Sequence, residues 1–163
     1  MGTLGPDDVR RLIAEKGLEA QVLSVGEGHT SSRAADSLDI DLSEVAKTVV
    51  FVDEGRKPVL AIVRGSVKIR QGEFAKKVGA RKLRLATRDE VLKLTGFPAG
   101  GVSPIGNRCH EKIYMDRTLM EKEVVFAGGG SEKHILKVRP ADVLRESGAV
   151  LMDIPVQEAI SPK

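Results

Sequence analysis

Residues 47–63 have the sequence KTVVFVDEGRKPVLAIV, in which two apolar runs stand on either side of a short polar segment. Both runs, residues 47–52 and 58–63, are rich in the β-branched side chains that favour strands. The intervening residues 53–57 place Gly55 among charged side chains, which is the composition of a tight turn. The stretch therefore predicts a β-hairpin.

Short helices and further strands are predicted on both sides of this hairpin. Prolines, capping residues and glycines just past the last turn predict helices over residues 6–16, 30–38, 72–78, 87–94 and 140–147. Apolar runs predict strands over residues 22–25, 82–86, 113–115, 124–127, 134–138 and 149–152. Leu83 and Leu85 alternate with basic residues, so both are expected on a buried face. This order favours a mixed sheet or a barrel over a regular βαβ array.

The composition fits one globular domain with an aliphatic core, and we expect a single domain over residues 1–163. Aromatic residues make up 3% of the chain, which argues against a surface that stacks many bases of single-stranded nucleic acid. Cys109 is the only cysteine, so neither an intrachain disulfide nor a cysteine metal cluster is expected. The sequence shows no secretory leader and no apolar run of membrane-spanning length, so we expect a cytoplasmic protein without a membrane partner.

Positive charge is concentrated in the middle of the chain. The net charge is +3, and much of the excess lies between Lys57 and Lys93. A solvated face on two helices and a strand explains such a run, and contact with a polyanion such as RNA is the alternative.

Residues 97–106, with the sequence FPAGGVSPIG, form the most unusual segment of the chain. Three glycines and two prolines within ten residues exclude a helix interior or a central strand, because proline lacks an amide donor and fixes its own φ. The segment therefore predicts a shaped loop whose backbone amides can face a ligand closely. Ser103 is its only polar side chain, so most contacts of a functional loop would come from the main chain.

Two side chains outside this loop are candidates for a site. Lys47 opens an apolar strand, where a lysine is usually a solvated edge charge; the alternative is a cation at a pocket mouth that faces a phosphate, hydroxyl or carbonyl group. His134 follows the glycine-rich residues 128–130, and a lone histidine at a strand start is more often structural or exposed than catalytic.

Several familiar catalytic patterns do not occur in the sequence. The glycines at 128–130 lack the Lys-Ser/Thr ending of a P-loop. Pro104 follows Ser103 directly, which argues against a serine-hydrolase elbow. The three histidines lack the spacing of a zinc site, so no metal is expected. Cys109 precedes His110, but neighbours in a loop do not make a nucleophile–base pair by themselves, so a bystander thiol is favoured.

A set of segments is informative through its order along the chain. Its members are residues 34–42, 45–51, 60–65, 79–86, 94–97, 100–106, 128–129 with His134, and 140–153. The most specific segment is the loop Gly100-Gly101-Val102-Ser103-Pro104-Ile105-Gly106. Together these segments resemble the YbaK family, which includes the editing domain inserted in bacterial prolyl-tRNA synthetases and its free-standing relatives. The resemblance covers residues 20–155.

The resemblance implies a compact α+β domain with a mixed, barrel-like β-sheet flanked by short helices. It also implies hydrolysis of the ester that links a wrong amino acid to the terminal adenosine of a tRNA, with alanyl- or cysteinyl-tRNA(Pro) as the expected type of substrate. The implied catalytic positions are Lys47, Gly100, Gly101 and Ser103, and the implied substrate-binding positions are Val102, Pro104, Gly129 and His134.

The same resemblance sets the expected partners. These are the aminoacylated tRNA acceptor end and a cognate aminoacyl-tRNA synthetase, and no cofactor is expected. The basic run from Arg64 to Arg88 is the implied contact for the acceptor stem. Three alternatives stay open. The first is a non-catalytic module of the same fold that binds an RNA end or a nucleotide, and the second is an unrelated hydrolase that uses Cys109 and a histidine. The third is a regulatory or interaction protein derived from the family. The oligomeric state is left open as well.

Overall fold

The central hairpin is present as predicted in the computed structural model, which describes residues 2–25 and 40–158. Strands β2 (Val45–Asp53) and β3 (Pro58–Arg64) pair antiparallel, with Val49 opposite Ala61. The Asp53 carboxylate accepts the amide hydrogens of Gly55 at 2.8 Å and Lys57 at 2.9 Å, which fixes the turn. The helix predicted over residues 30–38 lies outside the described residues.

The hairpin lies in the middle of a mixed sheet that has eight strands in the described part of the chain. The other six are β1 (Gln21–Ser24), β5 (Leu83–Leu85), β6 (Ile113–Asp116), β7 (Val125–Gly128), β8 (His134–Val138) and β9 (Val150–Met152). The order is β1-β8-β7-β2-β3-β6-β9, and β5 pairs with β2. The pairs β2–β7, β3–β6 and β6–β9 are parallel. A separate small sheet joins β4 (Val67–Ile69) to β10 (Val156–Glu158).

Short helices flank the sheet. They are α1 (Pro6–Lys16), α2 (Gln71–Lys77), α3 (Arg88–Thr95) and α4 (Pro140–Ser147), together with 3-10 turns at Leu42–Glu44 and Arg117–Glu121. The predicted cap of α3 is confirmed, because the Thr87 hydroxyl accepts the Glu90 amide at 3.2 Å. Its end at Gly96 is confirmed too, since this glycine has a left-handed φ of 87°.

Apolar side chains form two cores, one on each face of the hairpin. Leu60 and Ile62 belong to the first core, which also contains Phe97 and Ile105 of the glycine-rich loop. The alternate residues of β3 point to the second core, which is built around Phe74 of α2. The loop with the unusual sequence is therefore anchored in the first core by its buried apolar side chains.

The prediction that Leu83 and Leu85 are both buried is wrong for Leu85. Leu83 is 5% exposed and is covered by α2, whose Gln71 side chain donates to the Leu83 carbonyl oxygen. Leu85 is the last residue of this short strand and is 60% exposed, because no element in the described part of the chain covers it. The alternation of β5 was identified correctly, but half of the expected buried face is open.

The predicted α+β class, with a mixed sheet flanked by short helices, is confirmed. Among the residues that the structure describes, no helix has the length and apolar character needed to cross a membrane.

Candidate functional site

Two glycine-rich loops pack against each other backbone to backbone. We call residues 97–106 the Gly100 loop, residues 128–133 the Gly129 turn, and both together the loop pair. A Cβ atom on Gly101 would lie 2.5 Å from the Ser131 Cα atom, and one on Gly128 would lie 2.7 Å from the Val102 carbonyl carbon. The Gly130 amide donates to the Gly101 carbonyl oxygen at 2.9 Å. The glycines are therefore required for this close approach.

Lys47 lies next to the loop pair through the pairing of β2 with β7. Ala46 is opposite Ala127 in this parallel pair, and both side chains belong to the first core. Lys47 follows Ala46 on β2, and Gly128 follows Ala127 on β7. Side-chain directions alternate along a strand, so those of Lys47 and Gly128 point to the face opposite the first core. The Val102 carbonyl group occupies that face at Gly128. The fold therefore brings Lys47 and the Gly100 loop, which are more than 50 residues apart in the sequence, to one edge of the sheet.

The Lys47 ammonium group is half-buried and held in place. Its Nζ donates to the Val67 carbonyl oxygen at 2.5 Å. Burial lowers the pKa of Lys47 below its ordinary value, because desolvation penalises the charged form. A lysine that is fixed by a carbonyl and partly removed from water differs from the solvated edge charge that is usual at a strand entrance.

The Gly100 loop contains two buried backbone amides that have no hydrogen-bond partner within the described residues. The Gly101 amide donates to the Pro98 carbonyl oxygen at 2.9 Å, and the Ile105 amide donates to the Ser103 Oγ at 3.2 Å. The amides of Val102 and Ser103 have no acceptor in the described part of the chain, although these residues are 7% and 0% exposed. Buried amides are nearly always paired, so these two adjacent N–H groups are candidates to bind a ligand oxygen.

The side chains of the loop serve mainly to hold its shape. The Ser103 hydroxyl is fully buried and accepts the Ile105 amide, and the Asn107 Nδ2 donates to the Ser103 carbonyl oxygen at 2.9 Å. Pro104 is buried as well, whereas Gly100 is exposed and lies against the Glu132 side chain. Ser103 can therefore contribute its backbone amide, and its hydroxyl is committed to the loop.

Ser131 is a polar residue of this region that the sequence did not single out. Its Oγ lies 2.6 Å from the His134 Nδ1 and accepts the Lys133 amide at 3.1 Å. The Ser131 hydroxyl either donates to Nδ1 or accepts from it, so this hydrogen bond is coupled to the tautomer of the ring. The Gly129 amide donates to the His134 carbonyl oxygen at 3.1 Å, so the Gly129 turn also fixes the backbone of His134.

Cys109 does not have the properties of a nucleophile. The thiol is buried, and burial raises its pKa to about 11. The Sγ–H donates to the Leu94 carbonyl oxygen at 3.3 Å. The thiol is therefore protonated at neutral pH, which argues against the hydrolase alternative. No group of three His, Cys, Asp or Glu side chains with metal-binding geometry occurs within residues 2–25 and 40–158.

Similarity to known proteins is extensive. Residues 25–146 match the family model described as "Aminoacyl-tRNA editing domain". A proline–tRNA ligase of Solidesulfovibrio magneticus is 33% identical over 124 residues, which are 75% of this chain and 20% of the ligase. An Enterococcus faecalis protein provisionally named Cys-tRNA(Pro)/Cys-tRNA(Cys) deacylase EbsC is 25% identical over 133 residues, 81% of each chain.

A solved structure has the same fold. It is provisionally described as a trans-editing enzyme for prolyl tRNA synthetase, and it is 29% identical with a TM-score of 0.82. The match covers 92% of this chain and 96% of that one. The resemblance to the YbaK family is thereby confirmed, and the chain belongs to the aminoacyl-tRNA editing domain family.

Proposed function

We propose that the chain is a free-standing trans-editing deacylase, made of one editing domain over residues 1–163, that hydrolyses the ester of a mischarged tRNA. The expected substrate is of the alanyl- or cysteinyl-tRNA(Pro) type. In support, the name of the Enterococcus faecalis relative gives Cys-tRNA(Pro), and the solved relative is described as acting for prolyl tRNA synthetase. The observation that carries the proposal is the pair of buried amides at Val102 and Ser103, which have no acceptor in the described residues.

The two amides supply the stabilisation that ester hydrolysis needs. Attack on the ester carbonyl creates a tetrahedral intermediate with a negatively charged oxygen, and preorganised N–H donors stabilise that charge. Removing one such donor typically lowers the rate by a factor of about 100 or more. Gly100 and Gly101 act by shaping the loop that holds these donors, since the Gly101 amide is already bonded to Pro98.

The remaining residues of the site position the substrate. Lys47 holds the ribose or a phosphate of the terminal nucleotide through its ammonium group, and His134 presents its Nε2 atom from the Gly129 turn. Val102, Pro104 and Gly129 are the proposed substrate-binding positions, and we expect the site to admit a small amino acid and to exclude proline by size. The attacking group is a bound water or the side chain of the substrate itself, because Ser103 and Cys109 are both buried and committed.

The test is deacylation of a panel of mischarged tRNAs by the Lys47→Ala variant. We expect its rate to fall by about 100-fold or more, with an unchanged circular dichroism spectrum and thermal midpoint. Lys16→Ala is the control, because Lys16 is an exposed lysine on α1, outside the basic run. Full activity of Lys47→Ala would refute the assignment of Lys47.

The panel also separates catalysis from binding alone. An editing enzyme releases free amino acid from at least one mischarged tRNA. A module that binds the RNA end without turnover would instead protect the ester against spontaneous hydrolysis, and that result would refute the deacylase proposal.

A further inference from the structure

Four exposed cations follow one another along an open edge of the main sheet. They are Arg81, Lys82, Arg84 and Arg88, and we call them the basic strip. Strand β5, at the middle of the strip, pairs with β2 and with no other strand in the described part of the chain. The Arg81, Lys82, Arg84 and Arg88 side chains are all exposed.

The charge of this region is strongly one-sided. Residues 76–93 contain seven cationic and two anionic side chains, so their net charge is +5. The whole chain has a net charge of +3, and the rest of the chain therefore has a net charge of −2. A charged edge strand also prevents pairing with other sheets, but that role is served by charges of either sign. Four neighbouring positive side chains indicate a polyanionic partner.

Carboxylates neutralise only part of the basic strip. Glu90 binds Arg84 with distances of 2.7 and 2.9 Å, and Glu132 lies 3.4 Å from Arg88. Asp89 is exposed on the same helix as Arg88.

The other two cations have no ionic partner within the described residues. Glu54 accepts the backbone amides of Arg81 at 3.0 Å and Lys82 at 3.4 Å, and it forms no ion pair with either side chain. The side chains of Arg81 and Lys82 are therefore available to bind anions.

The basic strip leads to the loop pair. Leu83 is opposite Asp53 and Leu85 is opposite Phe51, so the segment advances along β2 toward Lys47. Lys47 lies six positions before Asp53 on β2, which is about 20 Å in an extended strand. At its far end Arg88 binds Glu132, the side chain that lies against Gly100. One continuous surface thus connects Arg81 to the candidate site.

We propose that the basic strip binds the phosphates of a tRNA acceptor arm whose 3′ end lies in the loop pair. The inference rests on the proposed function, because a substrate with its terminal ester at the loop pair must continue across the neighbouring surface. Arg81 and Lys82 supply the charge that is free to bind phosphate, and Arg88 lies at the junction with the site. The contacts are electrostatic and do not depend on the RNA sequence.

The test is the binding of fluorescently labelled tRNA(Pro) that carries no amino acid. Binding is measured by fluorescence anisotropy between about 50 and 200 mM salt. For the variant Arg81→Gln/Lys82→Gln we expect a dissociation constant about tenfold higher at the low-salt end. The logarithm of the association constant falls linearly with the logarithm of the salt concentration. The slope of this line should become shallower by about 1.5, as expected when two phosphate contacts are lost.

Arg10→Gln/Arg11→Gln on α1 is the control, because it removes the same charge from another exposed surface. Its affinity and slope should match those of the wild type. Wild-type affinity and slope in Arg81→Gln/Lys82→Gln, or an equal loss in the control, would overturn the proposal. A wild-type protein that does not bind tRNA would overturn it as well.

The outcome for the surface can be separated from the outcome for the chemistry. Strip-dependent binding of tRNA by a protein that hydrolyses no ester would leave the surface standing and refute the deacylase. Ester hydrolysis with the same KM in the wild type and in Arg81→Gln/Lys82→Gln would support the deacylase and overturn the surface.

Discussion

The loop pair and the basic strip lie along the same strand, β2, and they use opposite physical means. In the loop pair the contacting atoms are backbone atoms, and a single added carbon on Gly128 or Gly101 would overlap them. The basic strip consists of long, exposed, positively charged side chains. Two of them, Arg81 and Lys82, have no ionic partner within the described residues. The first region fixes geometry, whereas the second supplies charge.

This difference teaches where the protein tolerates change. Close backbone packing is insensitive to salt and intolerant of small additions, because interiors are as dense as crystals. Exposed cations tolerate substitution, and their interactions are screened within about 10 Å at ordinary ionic strength. A site that must hold a reacting ester needs the first property, and a surface that attracts a long polyanion needs the second.

The comparison is tested most severely by Gly128→Ala. The new methyl group would lie 2.7 Å from the Val102 carbonyl carbon, and we expect the free energy of unfolding to fall by about 3 kcal/mol or more. Gly72→Ala is the control, since a Cβ atom there meets nothing within 4 Å and the helical position favours alanine by about 0.5 to 1 kcal/mol. Urea denaturation measures both, and a stable Gly128→Ala variant would show that the loops can separate.

A smaller effect is expected from Ser131→Ala, which removes the hydroxyl beside the His134 Nδ1. The ring is then free to change tautomer, so we expect deacylation to slow by several-fold while the unfolding free energy changes by about 1 kcal/mol or less. Ser131→Thr keeps the hydroxyl and should restore activity. Nitrogen chemical shifts of His134 report the tautomer directly. Identical shifts in the wild type and Ser131→Ala would contradict the assigned hydrogen bond.

Lys47 combines features of both regions, because it is a cation like the residues of the basic strip but lies at the loop pair. Burial lowers its pKa in the folded state below the ordinary value of 10.5, so the unfolded chain holds the proton more tightly. Relative to Lys47→Met, the wild type should therefore gain stability as the pH rises from the lowered pKa toward 10.5. Urea unfolding across this alkaline range measures the difference, and a constant difference would mean that Lys47 is fully solvated.

The smallest effect on stability is expected from Arg81→Gln/Lys82→Gln. Neither side chain forms an ion pair in the described part of the chain, so the unfolding free energy should stay within about 0.5 kcal/mol of the wild type. Thermal denaturation in parallel with the tRNA titration checks this. Strong destabilisation would show that the strip is structural and would remove the contrast with the loop pair.

Local signals predicted most of the secondary structure. The bounds of α4 (Pro140–Ser147) and β8 (His134–Val138) agree with the predicted ranges, because proline, glycine and alternating residues mark them clearly. Strands β4 and β10 were missed. Each has three residues, and they pair with each other across more than 80 positions, so neither has a periodicity that can be recognised alone.

The candidate site was predicted less completely than the fold. The composition of the Gly100 loop and the place of Lys47 at a strand start marked both as candidates. Their roles came from the resemblance to a family, and these roles stay predictions until the variants are measured. Ser131 was not found, although it follows the glycines at 128–130 and stands three residues before His134, and that spacing is the available signal. The amides of Val102 and Ser103, which have no acceptor in the described part of the chain, leave no mark on the sequence, because every residue except proline has an amide.

The sequence by itself determined the hairpin, the helix ends and the existence of two glycine-rich loops. These features depend on residues within a few positions of one another, so local composition and spacing are sufficient. Only the tertiary structure decided that the loops touch through their backbones, that Leu85 is exposed and that Arg88 reaches Glu132. Such contacts join distant residues, and they follow from how β5, β7 and the loops are arranged around β2, which no local pattern specifies.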